Sequence, residues 1–123
     1  MNWTSDELDK IGTSDELRLA SMRRDGSLRS PVTMWVVRVG DNLYVRSVKG
    51  RTGPWFKGTQ DMHQAQISSG GVEKDVMFVD APPEIATEVD AAYRTKYQGY
   101  SSSIVNHVLT PGARESTLKL VPR

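Results

Sequence analysis

The alternation of apolar and polar positions divides the chain into an acidic start, a strand-rich middle, a helical stretch and a closing strand. Thr4 and Glu7 sit three residues apart, the spacing at which a Thr side chain and a Glu side chain each accept a backbone N–H at a helix start. This predicts a short helix from Ser5 to Ile11, ended by Gly12. The same five residues, TSDEL, recur at Thr13–Leu17. That spacing is too short for a structural repeat, so it reads as local capping chemistry. The second copy also suits a strand, because Leu17, Leu19 and Ser21 alternate with Arg18, Ala20 and Met22 toward a turn at Asp25-Gly26.

Pro31–Val39 carries the strongest strand pattern. Val32, Met34 and Val36 fall on one face, and Trp35, Val37 and Val39 on the other, which predicts a single strand buried on both sides. Gly40-Asp41-Asn42 makes a turn, and Leu43–Val48 runs back as the second arm of a hairpin. Lys49–Pro54 reads as a loop and Trp55–Asp61 as one turn of helix. His63–Ser68 and Val72–Asp80 form a further hairpin around Gly70-Gly71. Pro82-Pro83 opens an amphipathic helix with Ile85, Val89, Ala92, Tyr93 and Tyr97 on one face and Gly99 suited to its C-cap. A second short helix spans Ser102 to Leu109, and Ser116–Val121 returns as the last strand. A helix, about five strands, a helix pair and a final strand predict an α+β domain, a small closed or half-closed antiparallel barrel with helices packed outside. The expected layout is a single domain over 1–123. Its parts are an N-terminal helical segment at 1–14, barrel strands at 15–80, a helix pair at 82–109 and the last strand at 115–121.

Composition narrows the partners. With 37% hydrophobic and 25% charged residues the chain reads as folded rather than disordered, and 123 residues suffice for one core. The formal net charge of +1 gives no composition-level case for nucleic acid or an anionic membrane. Met1–Lys10 is acidic without an apolar run, so it does not read as a signal peptide, and no stretch approaches the roughly 20 apolar residues of a membrane span. The absence of cysteine removes disulfides and thiolate metal sites and fits a reducing cytoplasm. Two histidines without H-E-x-x-H spacing give no metal site. No G-x-S-x-G or P-loop is present either. His63 and His107 read as structural.

The positive charges are unevenly spread. Arg23, Arg24, Arg29, Arg38, Arg46, Lys49, Arg51 and Lys57 make eight of the sixteen Lys and Arg within a quarter of the chain. If the strands they flank pair, Arg29, Arg46, Ser47, Lys49 and Arg51 can converge on one anionic ligand, with Gly50 and Gly53 admitting backbone N–H groups. Pro54-Trp55-Phe56 places aromatics beside this loop, suited to a planar ring. The plain alternative is that these charges face solvent and that Trp35 and Trp55 are core.

The run Leu28-Arg29-Ser30-Pro31-Val32, then Trp35-Val36-Val37, Leu43-Tyr44-Val45-Arg46-Ser47, Gly50 and Pro54-Trp55-Phe56 resembles the deazaflavin-dependent nitroreductase type of split barrel. More narrowly, Trp3–Leu8, Arg23–Arg29 and Leu43–Ser47 resemble the start, turn and strand of an uncharacterised family, domain of unknown function 2255. The broader resemblance implies a flavin- or deazaflavin-dependent oxidoreductase acting on a small organic substrate. The cofactor would be flavin mononucleotide (FMN) or the 8-hydroxy-5-deazaflavin coenzyme, with no metal and with a homodimer. It implies that Arg29, Arg46, Ser47, Lys49 and Arg51 meet phosphate and that Trp55 and Phe56 shape the pocket. No catalytic side chain is singled out; Tyr44 and Tyr93 are candidate proton donors. The chain departs from the nitroreductases in lacking most of their N-terminal lid helix and in its Gly58-Thr59 region. The alternative is therefore a non-catalytic split-barrel module for a phosphorylated small molecule or a protein partner.

Overall fold

A computed structural model describes residues 2–123; Met1, the first residue of the expected N-terminal segment, lies outside them, and of Asp61 only the backbone is described. Helix α1 runs over Ser5–Thr13 with the expected capping box. The Thr4 side chain accepts from the Glu7 N–H while Glu7 accepts from the Thr4 N–H. The second TSDEL starts no helix. The chain instead enters strand β1, Leu17–Ser21, where alternate residues Leu17 and Leu19 point into the core.

The remaining strands are β2 (Val32–Met34), β3 (Val36–Val39), β4 (Asn42–Val45), β5 (Gln64–Ser69), β6 (Val72–Asp80) and β7 (Leu118–Pro122). All pair antiparallel in one sheet of order β2-β1-β5-β6-β7-β4-β3. The two edge strands are thus consecutive in sequence and separated by Trp35 alone, so the sheet curls into a nearly closed barrel. This corrects the single strand expected over Pro31–Val39. Its first half pairs with β1 and has Val32 and Thr33 exposed; its second half pairs with β4, with Val36 and Val37 fully buried. Changing partners at Trp35 lets nine residues serve both ends of the sheet, and raises the strand number to seven.

The alternation of β3 and β4 explains the two cores. Val36, Leu43 and Val45 point into the barrel with Leu8, Ile11, Phe56, Ile67, Phe78 and Leu120. Val37 and Tyr44, on the other face, meet Val89 and Tyr93 of helix α3, Ala86–Lys96, and its C-cap residue Tyr97. Trp3 closes one end of the barrel, its indole N–H donating to the Leu120 carbonyl at 2.9 Å. The Lys49–Pro54 stretch contains a 3-10 turn over Gly50–Thr52. Helix α2, Pro54–Met62, follows it and is longer than the single turn expected. His63, expected on a strand, caps α2 in the left-handed region at φ 55°. The Gly70-Gly71 turn has φ 57° and 85°, the conformation a two-residue hairpin needs and glycine supplies without strain. Pro83–Ile85 is a short 3-10 turn leading into α3. That helix ends at Tyr97 rather than Gly99, and Gly99 is not in the left-handed region. The second helix expected after it is α4, Ser102–Val105, with a 3-10 turn at Asn106–Val108; a further short helix, α5, spans Pro111–Glu115.

Candidate functional site

The strand break at Trp35, the chain leaving β4 and the start of α2 together frame a cleft of about 510 Å³. Its apolar wall includes Val32, Met34, Trp35, Trp55 and Ile104, and its polar side carries Ser47, Lys49 and His107. Large ligands of mixed character occupy clefts of this size and lining.

Ser47 is the informative polar group. Its backbone N–H donates to the Ser116 hydroxyl at 2.8 Å, but its own hydroxyl is buried without a hydrogen-bond partner among the described residues. A buried hydroxyl in that state costs free energy unless a partner completes it; the Tyr93 hydroxyl is in the same state but lies in the outer core, whereas Ser47 lines the cleft. Gly53 makes room for it, since a Cβ there would lie 2.6 Å from Ser47 Oγ. Gly50, at φ 67°, turns the chain between them and donates its N–H to the Ser47 carbonyl. Lys49 is exposed and forms no ion pair among the described residues.

The other expected site residues disperse. Arg46 lines the cleft, but its side chain is wholly buried in another task. One Nη donates to Asp90 at 2.5 Å and to the Val108 carbonyl, the other to the Ala86 carbonyl, and Nε to Thr117 Oγ1. The guanidinium also lies 5.5 Å from the centroid of the Tyr93 ring. Arg46 therefore pins α3 to the barrel. Arg29 lies between the β1 end and α2, donating to the Met22 and Gly58 carbonyls. Phe56 is barrel core. Arg51 covers the Phe56 ring at 5.2 Å and lines a second cleft, of about 500 Å³, with Pro82, Pro83, Pro111, Arg114 and Glu115. Both arginines of that second cleft are engaged: Arg114 with Asp90 at 3.2 Å, and Arg51 with Asp80 at 3.8 Å and the Glu115 carbonyl. Of the seven residues expected, the first cleft thus brings together Arg46, Ser47, Lys49 and Trp55.

Residues 7–120 match the family described as "Uncharacterized protein conserved in bacteria (DUF2255)". The chain belongs to that family. No curated protein matches this DUF2255 chain. Its fold is similar to several solved split barrels. One is HutZ, the heme storage protein from Vibrio cholerae, at 12% identity, TM-score 0.67, covering 100% of this chain and 92% of that one. Another is an FAD-binding protein from Mesorhizobium loti at 13% identity and TM-score 0.62, with the same coverages of 100% and 92%. A third is an F420 reductase at 14% identity and TM-score 0.58, covering 94% of this chain and 90% of that one. At these identities the likeness carries the fold.

Tyr44 and Tyr93, the candidate proton donors, lie beneath α3 in the outer core and line neither cleft of the DUF2255 chain. Burial raises both phenols above their ordinary range; nearby Glu88 adds to the rise for Tyr44, while Arg46 opposes it for Tyr93. His107, read as structural from its helical surroundings, is on the cleft wall, as is Trp35, read as core. Nothing in the local pattern around His107 marks it, because the helix bearing it reaches the cleft only through the fold. No group of three or more His, Cys, Asp or Glu among the described residues is placed to hold a metal ion, and no helix among them is long and apolar enough to cross a membrane.

Proposed function

We propose that this chain binds FMN or the 8-hydroxy-5-deazaflavin coenzyme in the first cleft and acts with it as an oxidoreductase on a small organic substrate. The observation that carries this reading is the buried Ser47 hydroxyl, unpartnered among the described residues, beside the exposed Lys49 ammonium in a cleft whose opposite wall is largely aromatic and aliphatic. This donor pair suits a phosphate: Lys49 as a point charge, Ser47 as a hydroxyl made possible by Gly53. The aromatic wall, with Trp55, suits a flat ring. Arg46 sets the frame rather than meeting the phosphate, and Arg29, Arg51 and Phe56 support the elements around it. The coenzyme, when bound, supplies hydride transfer; the chain's residues bind and orient it and exclude water. The names of two fold neighbours, an F420 reductase and an FAD-binding protein, support the same class of ligand. We further propose a homodimer in a reducing cytoplasm. The exposed Val32, Val48 and Ile104 beside the cleft and Met77 and Val79 on β6 give it apolar surface to cover, and light scattering measures it.

A second reading, a non-catalytic module that holds a phosphorylated small molecule, is favoured by the engagement of Arg46, which leaves Lys49 as the first cleft's cation without an ion pair. The name of a third neighbour, a heme storage protein, fits a binding role. Titration of the purified protein with each coenzyme, followed by absorbance, tests both. Binding, chemical reduction and recovery of the oxidised spectrum on adding a quinone or nitroaromatic is the result expected for the oxidoreductase. Binding without recovery selects the module, and no binding of either coenzyme overturns the coenzyme reading.

A further inference from the structure

Trp35 occupies an unusual place: it is the residue at which the chain passes from one edge of the sheet to the other, and it lines the first cleft half-buried. Its indole is held from one side. The Tyr97 ring stacks on it at a centroid distance of 3.8 Å and an interplanar angle of 6°. Tyr97 is itself fixed, since its phenol donates to the Asp15 carbonyl at 2.5 Å and accepts from the Val36 N–H at 3.3 Å. Lys96 sits 5.2 Å from the same ring and donates to the Val36 carbonyl. The third ring of the group, Tyr100, is tilted, 5.1 Å from Trp35 and 5.9 Å from Tyr97. With Trp35 and Tyr97 only 3.8 Å apart, those distances place Tyr100 nearly at a right angle to the stacking direction, at the edge of the indole. Among the described residues the indole face turned away from Tyr97 thus has no aromatic partner.

A rigid, half-buried indole that is backed on one face by Tyr97 and lines a ligand-sized cleft is a stacking platform whose ordering cost is met before the ligand arrives. We infer that Trp35 is the surface on which the planar ring of the cleft's ligand stacks, with Tyr97 as its backing. This inference rests on the coenzyme reading of the cleft and adds to it the residue that selects a flat, electron-poor ring.

The test uses FMN and the whole 123-residue chain. An indole in face contact donates an electron to the excited isoalloxazine, so FMN emission is expected to be strongly quenched on binding to wild type. Trp35→Leu removes the platform and is expected to raise Kd about tenfold, within the range of single stacking contacts. Trp35→Phe keeps a ring against Tyr97 and guards against loss of the fold, which circular dichroism checks. It is expected to hold Kd within about threefold while the bound emission rises, since phenylalanine is a poor electron donor. Wild-type binding with emission equally quenched in Trp35→Phe overturns the inference and leaves the coenzyme reading standing. Failure of wild type to bind FMN, or the deazaflavin coenzyme in a parallel titration, overturns both.

Discussion

The two clefts are nearly equal in size, about 510 and 500 Å³, yet they differ in how far their polar groups are engaged. In the second cleft Arg114 and Arg51 already have carboxylate partners, Asp90 and Asp80. In the first, Lys49 has no carboxylate within salt-bridge distance among the described residues and Ser47 holds a hydroxyl without a partner. Arg46 is the partition between them: it is part of the first cleft's wall, while two of its acceptors, Ala86 and Thr117, line the second. Volume therefore does not distinguish a binding site from a packing groove. The engagement of the polar groups that line each cleft separates the two, because an engaged guanidinium must first lose a partner to gain a ligand.

The comparison is broken most severely at the partition. Asp90→Ala strands the Arg46 guanidinium in the protein interior, and a loss of about 3–5 kcal/mol in stability is expected from urea unfolding. A loss below about 1 kcal/mol would show that the Arg46–Asp90 pair does not hold the partition. Gly53→Ala acts next. Its Cβ would press on Ser47 Oγ, and a stability loss of about 1–3 kcal/mol with weaker coenzyme binding is expected from melting and titration. The smallest effect sharpens the contrast. Ser47→Ala removes a hydroxyl that has no partner in the protein, so stability should stay within about 0.5 kcal/mol of wild type or rise, while coenzyme affinity falls by one hydrogen bond, about 0.5–1.5 kcal/mol. A clear loss of stability in that variant would place the hydroxyl in the fold rather than the site.

Much of the frame was legible along the chain. The capping box at Thr4 and Glu7, the hairpin at Gly70-Gly71 and the α3 stripe of Val89, Tyr93 and Tyr97 are local patterns, and local hydrogen bonding realises them. The break at Trp35 was not legible. The apolar alternation runs on through it without a glycine, and only the pairing of Met34 with Leu17 and Val36 with Val45 separates the halves. The fate of the basic stretch depends on long-range partners: Arg46 meets Asp90, 44 residues on. Lys49 and Arg51 lie two positions apart around a 3-10 turn, where successive residues rotate by about a third of a turn, so the two side chains address different clefts. Residue type was readable; the direction each charge faces required the turn.

The most direct measurement is a side-by-side titration of the coenzymes into Lys49→Ala and Arg51→Ala. Lys49→Ala is expected to lose about tenfold or more in affinity, the scale of a charge-assisted contact to phosphate, while Arg51→Ala binds as wild type. Loss of affinity in Arg51→Ala with Lys49→Ala unaffected would move the site to the second cleft and contradict the account.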